Sequence, residues 1–357
     1  MKYVFFVVAL TLTAGCGGPL LTMSDRDTAA VLQPASRSNI VDARADFRQL
    51  YCAVNDDHGV DLPDYRECDD ALHKLADEPS AEKQQVDFDF SNDMHIFVIP
   101  GILGECLIDQ VSPFSFAIEH MESHGIEFTV LTGVHGRASS KLNSSVIHEY
   151  FSEVDKPEGR KLLVMAYSKG TTDMLYYLSS EEYASSYSKI DALISVAGVV
   201  NGTPLADDTN WLEKKLAKHF PYDKCPTQDE SGIDDLTRET QLLRLSEQTI
   251  PDHIRLYSMV AYTNVDGMSS ILRDSWKRLS LVDPRNDGQV IYYDSILPGA
   301  HLLGYANADH WAVALPFARH ESLSGFINKK IARGADKNAY PREVLIEAII
   351  RYVDKDL

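Results

Sequence analysis

Residues 161–170 read K-L-L-V-M-A-Y-S-K-G, a mostly apolar run that leads directly into a serine. A run of this kind is typical of a strand buried on both faces of a parallel sheet, and the residues from Gly170 onward follow a helical pattern. Ser168 is therefore expected on a sharp strand-to-helix turn, with small residues, Ala166 and Gly170, two places before and after it. Such a turn exposes the hydroxyl beside helical N–H groups, where negative charge is favoured. The stretch predicts that Ser168 is a nucleophile at a sheet edge.

Strands and helices alternate on both sides of this turn. Other apolar, β-favouring runs lie at residues 94–100, 126–132, 191–199, 253–262 and 300–305, and helical patterns lie at 115–124, 144–154, 170–179 and 341–353. The alternation predicts an α/β fold in which a mostly parallel central sheet has helices on both faces. A long polar interval at residues 207–250 interrupts it, and we interpret this interval as a helical insertion.

A serine nucleophile on such a turn needs a general base and an acid that orients the base, in the chain order Ser, Asp, His. His310 follows the last apolar run, in N-A-D-H-W at 307–311, and this position selects it among the 12 histidines. Asp287, in N-D-G-Q-V at 286–290, lies on a turn between the last two runs. Asp266 also follows an apolar run and is the alternative acid. The predicted set is therefore a serine, a histidine and an aspartate, with Asp287 favoured.

The first strand of the predicted sheet ends in P-G-I-L-G at residues 100–104. A glycine-bearing turn lets the backbone come close to the serine, and N–H donors aimed at one oxygen stabilise a developing oxyanion. We expect the N–H groups of Ile102 and Lys169 to be these donors. The Lys169 side chain is also a candidate cation at the rim of the site, which would favour a substrate that bears a carboxylate or phosphate.

These pieces, in this order, resemble the α/β-hydrolases of the bacterial lipase and esterase type over residues 94–357. V-I-P-G-I-L-G is similar to their oxyanion turn, A-Y-S-K-G to their nucleophile elbow, and N-D-G-Q-V with D-H-W to their acid and base turns. N-G-T-P-L-A-D at 201–207 is similar to the segment after the next strand. The sequence departs from the family at three positions. Many members have His in place of Pro100, Gly in place of Ala166, and Gln, Met or His in place of Lys169.

The resemblance implies the α/β-hydrolase fold and a serine hydrolase that cleaves carboxylic esters, chiefly of lipids, through an acyl-enzyme. It implies a small-molecule or lipid ester as substrate and a lid-like role for residues 207–250. A thioesterase, a peptidase or an acyltransferase with the same three residues is the alternative within the fold. The alternative from another class is a non-catalytic surface-binding lipoprotein that retains a hydrolase fold.

The N-terminus has the pattern of an export signal. Residues 1–15 carry one charge, Lys2, followed by an apolar run that is shorter than the about 20 residues needed to span a bilayer. L-T-A-G-C at 12–16 resembles the bacterial lipobox, which implies acylation of Cys16 and, because Gly17 follows instead of Asp, sorting to the outer membrane. An ordinary signal peptide cleaved a few residues further on is the alternative.

The rest of the chain divides into a tether, an extension and a catalytic domain. Residues 16–40 are polar without a sustained apolar period and are interpreted as a lipidated tether. Residues 41–93, with helical patterns at 47–54 and 65–75, are interpreted as an N-terminal extension that packs on the core. The catalytic domain is expected at 94–357.

The chain of 357 residues is acidic, with a formal net charge of −19. A negative surface repels both nucleic acid and anionic lipid. We therefore expect no nucleic-acid partner, and attachment to a membrane through the acyl chains of the anchor. The sequence does not indicate an oligomeric state.

Four cysteines remain besides Cys16, and in an exported chain they can pair in three ways. The pair Cys52 with Cys68 is favoured because it closes a short polar loop. It leaves Cys106 and Cys225 for each other. Buried free thiols are the alternative.

Two groupings of possible ligands occur, and neither predicts a metal site. His120 and His124 stand four residues apart on one helix face, but no third ligand is indicated, and the Glu that a zinc protease has directly after the first His is absent. The acidic run D-D-H at 56–58 lacks the spacing of an EF-hand loop. No Gly-rich phosphate loop is present, so no nucleotide cofactor is expected.

Overall fold

Strands from both ends of the chain form one eight-stranded sheet. In a computed structural model, which describes residues 39–86, 90, 93–102, 111–208, 229, 231–319, 331 and 333–357, the strands are β1 (Val41–Asp42), β2 (Leu72–His73), β3 (Met94–Ile99), β4 (Glu127–Val130), β5 (Lys161–Tyr167), β6 (Ala192–Val196), β7 (Arg255–Tyr262) and β8 (His301–Asn307). Their order is β1-β8-β7-β6-β5-β3-β4 with every pair parallel, and β2 pairs antiparallel with β8. Each of the six predicted apolar runs overlaps one of these strands, which confirms the mostly parallel architecture.

Helices cover both faces of the sheet. In the described residues they are α1 (Arg44–His58), α2 (Cys68–Ala71), α3 (Ser115–Ser123), α4 (Ser140–Glu153), α5 (Lys169–Leu178), α6 (Ala184–Tyr187), α7 (Arg238–Glu247), α8 (Arg273–Leu279) and α9 (Arg342–Asp356). Side chains of α1, α3 and α9 share one hydrophobic core, and those of α4 and α5 share another. In β5, Met165 enters the first core and Val164 the second. After Lys161 the strand is apolar, because both of its faces are buried there.

The N-terminal segment contributes strands to the sheet as well as packing on it. Both β1 and β2 pair with β8, and Phe47, Tyr51 and Val54 of α1 are buried in the core that also contains α9. The helix predicted at residues 65–75 is wrong for most of its length, since α2 is a single turn and Leu72–His73 is a strand. Ladder hydrogen bonds to β8 outweigh the weak helical pattern there.

A disulfide joins Cys52 in α1 to Cys68 in α2, the pairing that the sequence favours. The Cα atoms of the two cysteines are 5.3 Å apart, and 16 residues separate them in sequence. The bond closes the turn between the two helices. Cys106 and Cys225 lie outside the described residues.

The C-terminal part of the polar interval at residues 207–250 is described by the structure and is helical, as predicted. Residues 231–236 form a 3₁₀ helix that precedes α7. Asp235 accepts a hydrogen bond from Ser140 N–H at the start of α4 (2.5 Å), and Arg238 pairs with Asp294 (3.1 Å). These contacts fasten the interval to the core. Residues 209–228 and 230 lie outside the described residues, so the lid-like role stays a prediction.

Residues 1–38 also lie outside the described residues, and with them the predicted signal peptide, the lipidation site Cys16 and nearly all of the tether. Among the helices that the structure describes, none is both long enough and apolar enough to span a bilayer.

Candidate active site

Ser168 lies between the carboxyl end of β5 and the start of α5. Its backbone has φ 54° and ψ −126°, a conformation that is rare for any residue other than glycine. The adjacent strand holds this turn, because Ser168 N–H donates to Val196 O (3.3 Å) and Val199 N–H donates to Ser168 O (3.1 Å). Strain of this kind persists only where the surrounding structure imposes it, and it is concentrated at functional sites.

Two glycines let neighbouring backbone approach the serine. A Cβ atom on Gly170 would lie 2.6 Å from the carbonyl oxygens of Ile99 and Pro100, so the start of α5 could not pack against the end of β3. A Cβ atom on Gly101 would lie 2.8 Å from Ser168 Cβ. A larger residue at either glycine would therefore separate the turn after β3 from the serine.

A continuous chain of hydrogen bonds joins Ser168, His310 and Asp287. Ser168 Oγ lies 2.8 Å from His310 Nε2, and His310 Nδ1 lies 2.6 Å from Asp287 Oδ2, although 142 residues separate the serine from the histidine in sequence. All three side chains are buried. With Nδ1–H donating to the carboxylate, Nε2 is left as the acceptor for the serine hydroxyl.

The Asp287 carboxylate is held by its own turn. Its Oδ1 accepts hydrogen bonds from the N–H groups of Gln289 (2.8 Å) and Val290 (2.7 Å). Its main-chain oxygen accepts from His310 N–H (2.8 Å), which fastens the acid turn to the histidine turn. Asp266 lies instead on an exposed turn. Of the two aspartates considered from the sequence, Asp287 is the one hydrogen-bonded to His310.

Two further residues, which were not predicted from the sequence, hold His310 in place. The Tyr167 hydroxyl donates to His310 O (2.8 Å), and its ring centroid lies 5.2 Å from that of the imidazole. Asp309 is fully buried, and its carboxylate accepts from the N–H groups of Ser269 (2.9 Å) and Ala312 (2.8 Å). Burial raises the pKa of Asp309, and burial with nearby carboxylates keeps the pKa of Tyr167 well above its usual value, so the phenol remains a donor. The sequence signals, an Asp before the His and an aromatic residue at the end of a strand, are too common to select them.

The two predicted oxyanion donors, the N–H groups of Ile102 and Lys169, belong to the turns that follow β3 and β5. Lys169 is the first residue of α5, so its N–H has no acceptor within that helix. Ile102 directly follows Gly101, which contacts Ser168. Within the described residues, neither N–H donates to a backbone carbonyl. Their role as oxyanion donors stays a prediction.

The Lys169 side chain does not lie at the rim of the site, contrary to the expectation from sequence. It is fully buried, and its Nζ donates to Asp173 Oδ1 (2.6 Å) one turn further along α5. Asn143 donates to the other oxygen of that carboxylate (2.8 Å). Because the ammonium is buried and paired with Asp173, the predicted position at the rim is wrong, and the side chain gives no support for a preference for anionic substrates.

The arrangement can move a proton and stabilise an oxyanion. His310 Nε2 is placed to take the proton of Ser168 Oγ, and the Asp287 carboxylate is placed to hold the imidazolium that results. The N–H group of Lys169, the first residue of α5, lies at the positive end of the helix dipole. These are the requirements for attack by a serine on a carbonyl carbon.

The solved structures that are similar to this chain include a carboxyl esterase and a lipase. The metagenomic carboxyl esterase MGS0156 is 35% identical to it, with the match covering 92% of this chain and 97% of that one, at a TM-score of 0.81. Lipase 1 from Pelosinus fermentans is 12% identical, over 74% of this chain and 99% of that one, at a TM-score of 0.52, which shows a shared fold alone. No family model and no curated protein matches the chain.

Proposed function

The chain belongs to the α/β-hydrolase superfamily, and from that premise we propose that it hydrolyses carboxylic esters through Ser168, His310 and Asp287. The observation that carries the proposal is the hydrogen-bonded chain from Ser168 Oγ through the imidazole to the Asp287 carboxylate. The similar metagenomic protein is a carboxyl esterase, which supports an ester as the bond that is cleaved.

The first half of the proposed reaction forms an acyl-enzyme. His310 Nε2 takes the hydroxyl proton as Ser168 Oγ bonds to the carbonyl carbon, and the carbonyl oxygen becomes an oxyanion. The N–H groups of Ile102 and Lys169 stabilise that oxyanion, at about 3 kcal/mol for each donor. When the tetrahedral intermediate collapses, the alkoxide leaves with the proton from His310.

The second half releases the acid. His310 takes a proton from water, whose oxygen bonds to the acyl carbon, and the same N–H groups stabilise the second oxyanion. Collapse breaks the bond to Ser168 Oγ, which recovers its proton from the imidazolium. Asp287 holds Nδ1–H throughout, so Nε2 faces the serine in each step.

Labelling with a fluorophosphonate probe tests the nucleophile. We expect the wild-type chain to be labelled and Ser168→Ala to be unlabelled and inactive on p-nitrophenyl esters, while Ser145→Ala, which alters an exposed serine on α4, behaves as wild type. Circular dichroism shows whether each variant is folded. Labelling or ester hydrolysis that persists in folded Ser168→Ala would overturn the proposal.

We propose lipid esters as the substrate class, since the turns of the site resemble those of bacterial lipases. A p-nitrophenyl series from acetyl to palmitoyl, with thioester and peptide substrates beside it, tests this choice. We expect kcat/KM to rise with acyl length and to be lowest for the peptide. A decline with acyl length, or faster cleavage of the thioester or peptide, would assign another substrate to the same site.

We also propose that Cys16 carries an acyl anchor and that the protein is exported to the outer membrane. The support is the lipobox-like L-T-A-G-C at residues 12–16, followed by Gly17. Labelled palmitate should enter the wild-type chain in the outer-membrane fraction and be absent from Cys16→Ser. Equal labelling of both chains would contradict the anchor.

A further inference from the structure

Two histidines and a glutamate from three helices meet on one face of the sheet. His58 ends α1, His120 lies in α3, and Glu347 lies in α9. The Nε2 atoms of both imidazoles approach the same carboxylate oxygen, Glu347 Oε2, at 2.8 Å for His58 and 2.7 Å for His120. The three ligand atoms all lie within 4.8 Å of one another. None of these residues takes part in the contacts around Ser168.

The chemistry of this cluster is that of a transition-metal site. Two imidazole nitrogens and one carboxylate oxygen are a common zinc ligand set, with bonds of about 2.0–2.2 Å and a water molecule in the fourth position. Donors around a tetrahedral zinc ion stand roughly 3.3 Å apart. Small side-chain rotations would therefore open enough space between the carboxylate and the imidazoles to admit the ion.

Neighbouring groups orient two of the three ligands. His58 Nδ1 lies 3.0 Å from Asp57 Oδ2. When the proton is on Nδ1 and is donated to this carboxylate, the lone pair of Nε2 points at the cluster. Glu347 Oε1 accepts from Arg351 Nε (2.8 Å), which leaves Oε2 for the two histidines. A carboxylate behind the histidine and a fixed carboxylate orientation are usual outer-shell features of metal sites.

Burial and charge also suit a divalent cation. Glu347 is fully buried, whereas the side chains of His120 and His58 are 12% and 26% exposed, so the cluster is open to water on the side of His58. The carboxylates of Asp57 and Glu347 and the guanidinium of Arg351 together leave one net negative charge when the imidazoles are neutral. Glu347 and Arg351 neutralise each other, so the remaining charge is that of Asp57, whose side chain is 60% exposed at the open side of the cluster, and a bound cation would offset it there.

We propose that His58, His120 and Glu347 bind a divalent transition-metal ion, with zinc as the preferred metal. The ion joins α1, which belongs to the N-terminal segment, to α3 and to the last helix, α9. Its role is structural, because the proposed ester chemistry uses other residues. His124, which sequence analysis paired with His120, is not a ligand, since it is exposed and its Nδ1 lies 2.9 Å from His120 O.

Zinc binding to the full chain tests the proposal. Untagged protein stripped with a chelator is titrated with Zn²⁺ in a calorimeter, and a parallel sample takes Co²⁺, whose visible absorption reports tetrahedral coordination. We expect one Zn²⁺ per chain, an intense tetrahedral Co²⁺ spectrum, and a Tm that rises by several degrees with Zn²⁺ because the ion binds the folded state.

The variants separate these ligands from the other histidines. His58→Gln and His120→Gln should each weaken Zn²⁺ binding at least tenfold and abolish the rise in Tm, and Asp57→Asn should weaken binding by about tenfold. His124→Gln is the matched control and should bind as wild type does. Glu347 is left intact because its substitution also removes the buried contact to Arg351. No stoichiometric binding by folded wild-type chain, or unchanged binding by His120→Gln, overturns the proposal.

Discussion

Asp287 and Asp266 both lie between β7 and β8 in the chain, and their environments differ. The Asp287 carboxylate is buried and accepts from His310 Nδ1 and from two backbone N–H groups. Asp266 is exposed. A buried acid fixes the tautomer of its histidine and stabilises the imidazolium, whereas an exposed one is largely screened by water.

Replacing each aspartate by asparagine shows which of the two orients His310. Asp287→Asn should lower kcat for ester hydrolysis by about 10⁴-fold, because the amide favours the wrong imidazole tautomer. Asp266→Asn, the matched control, should stay within twofold of wild type. Steady-state kinetics on a p-nitrophenyl ester measures both, and a larger loss in Asp266→Asn would assign the acid to that residue.

The buried pair of Lys169 and Asp173 has a structural consequence. Burial raises the pKa of Asp173, and the Lys169 ammonium acts in the opposite direction by stabilising the carboxylate. Lys169→Met should cost about 3–5 kcal/mol of unfolding free energy, because it leaves a buried carboxylate without that cation. Urea denaturation measures the loss.

The same variant tests what Lys169 does for substrates. The ratio of kcat/KM for anionic and neutral esters should be unchanged in Lys169→Met, and the double variant Lys169→Met with Asp173→Leu should recover most of the lost stability. A shift in the ratio would show that the ammonium reaches the substrate after all.

The short strand β2 carries a histidine in an unusual environment. The His73 ring stacks on Tyr262 at 4.1 Å between centroids, and Nε2–H donates to Tyr262 O (3.0 Å). Burial, with a further contribution from Arg48, lowers the pKa of His73 to about 4. The folded chain therefore holds a neutral imidazole where the unfolded chain, with a pKa near 6.5, takes up a proton.

Acid should weaken the attachment of β2. The contribution of His73 to the free energy of unfolding is complete above pH 6.5 and declines as the pH falls from 6.5 towards 4. Between pH 7 and pH 5 the decline is roughly 2 kcal/mol. His73→Phe keeps the ring stack and should reduce the pH dependence by that amount in urea denaturation. His253→Gln, at an exposed histidine, is the control and should keep the wild-type slope. An equal slope in His73→Phe would contradict the assignment.

The N-terminal segment is part of the folded unit that carries the site. It supplies two strands to the outer edge of β8, and α1 packs its apolar side against α9. Burial of each large apolar side chain in α1 contributes roughly 1.5–3 kcal/mol. The disulfide between Cys52 and Cys68 holds α1 and α2 together within the segment.

Deleting this segment should therefore prevent folding. A chain of residues 76–357 loses β1, β2 and α1, exposes the edge of β8 and uncovers the apolar side of α9, so we expect insoluble protein. A chain of residues 39–357 should be soluble and hydrolyse esters as the longer chain does. Soluble yield, thermal melting and ester hydrolysis compare the two, and a cooperative melt with activity in 76–357 would show that the extension is dispensable.

Much of the architecture was accessible from sequence. The six apolar runs became strands because an alternation of short apolar runs with helical patterns is a local property of the chain. Ser168 and His310 were found from their places directly after strands, and the structure brings them within a hydrogen bond of each other. The weak points were β1 and β2, which are two residues long and have no periodicity to detect.

Local pattern and chain order were thus enough for the six longer strands, several of the helices that cover them and the serine on its turn. Contacts between distant residues settled the rest: the choice of Asp287, the burial of Lys169 against Asp173, and the meeting of His58 and His120 at Glu347. The physical reason is that burial and hydrogen-bond partners arise from packing between elements far apart in the chain. Residues with the same local pattern, such as Asp266 and Asp287, can therefore end in opposite environments.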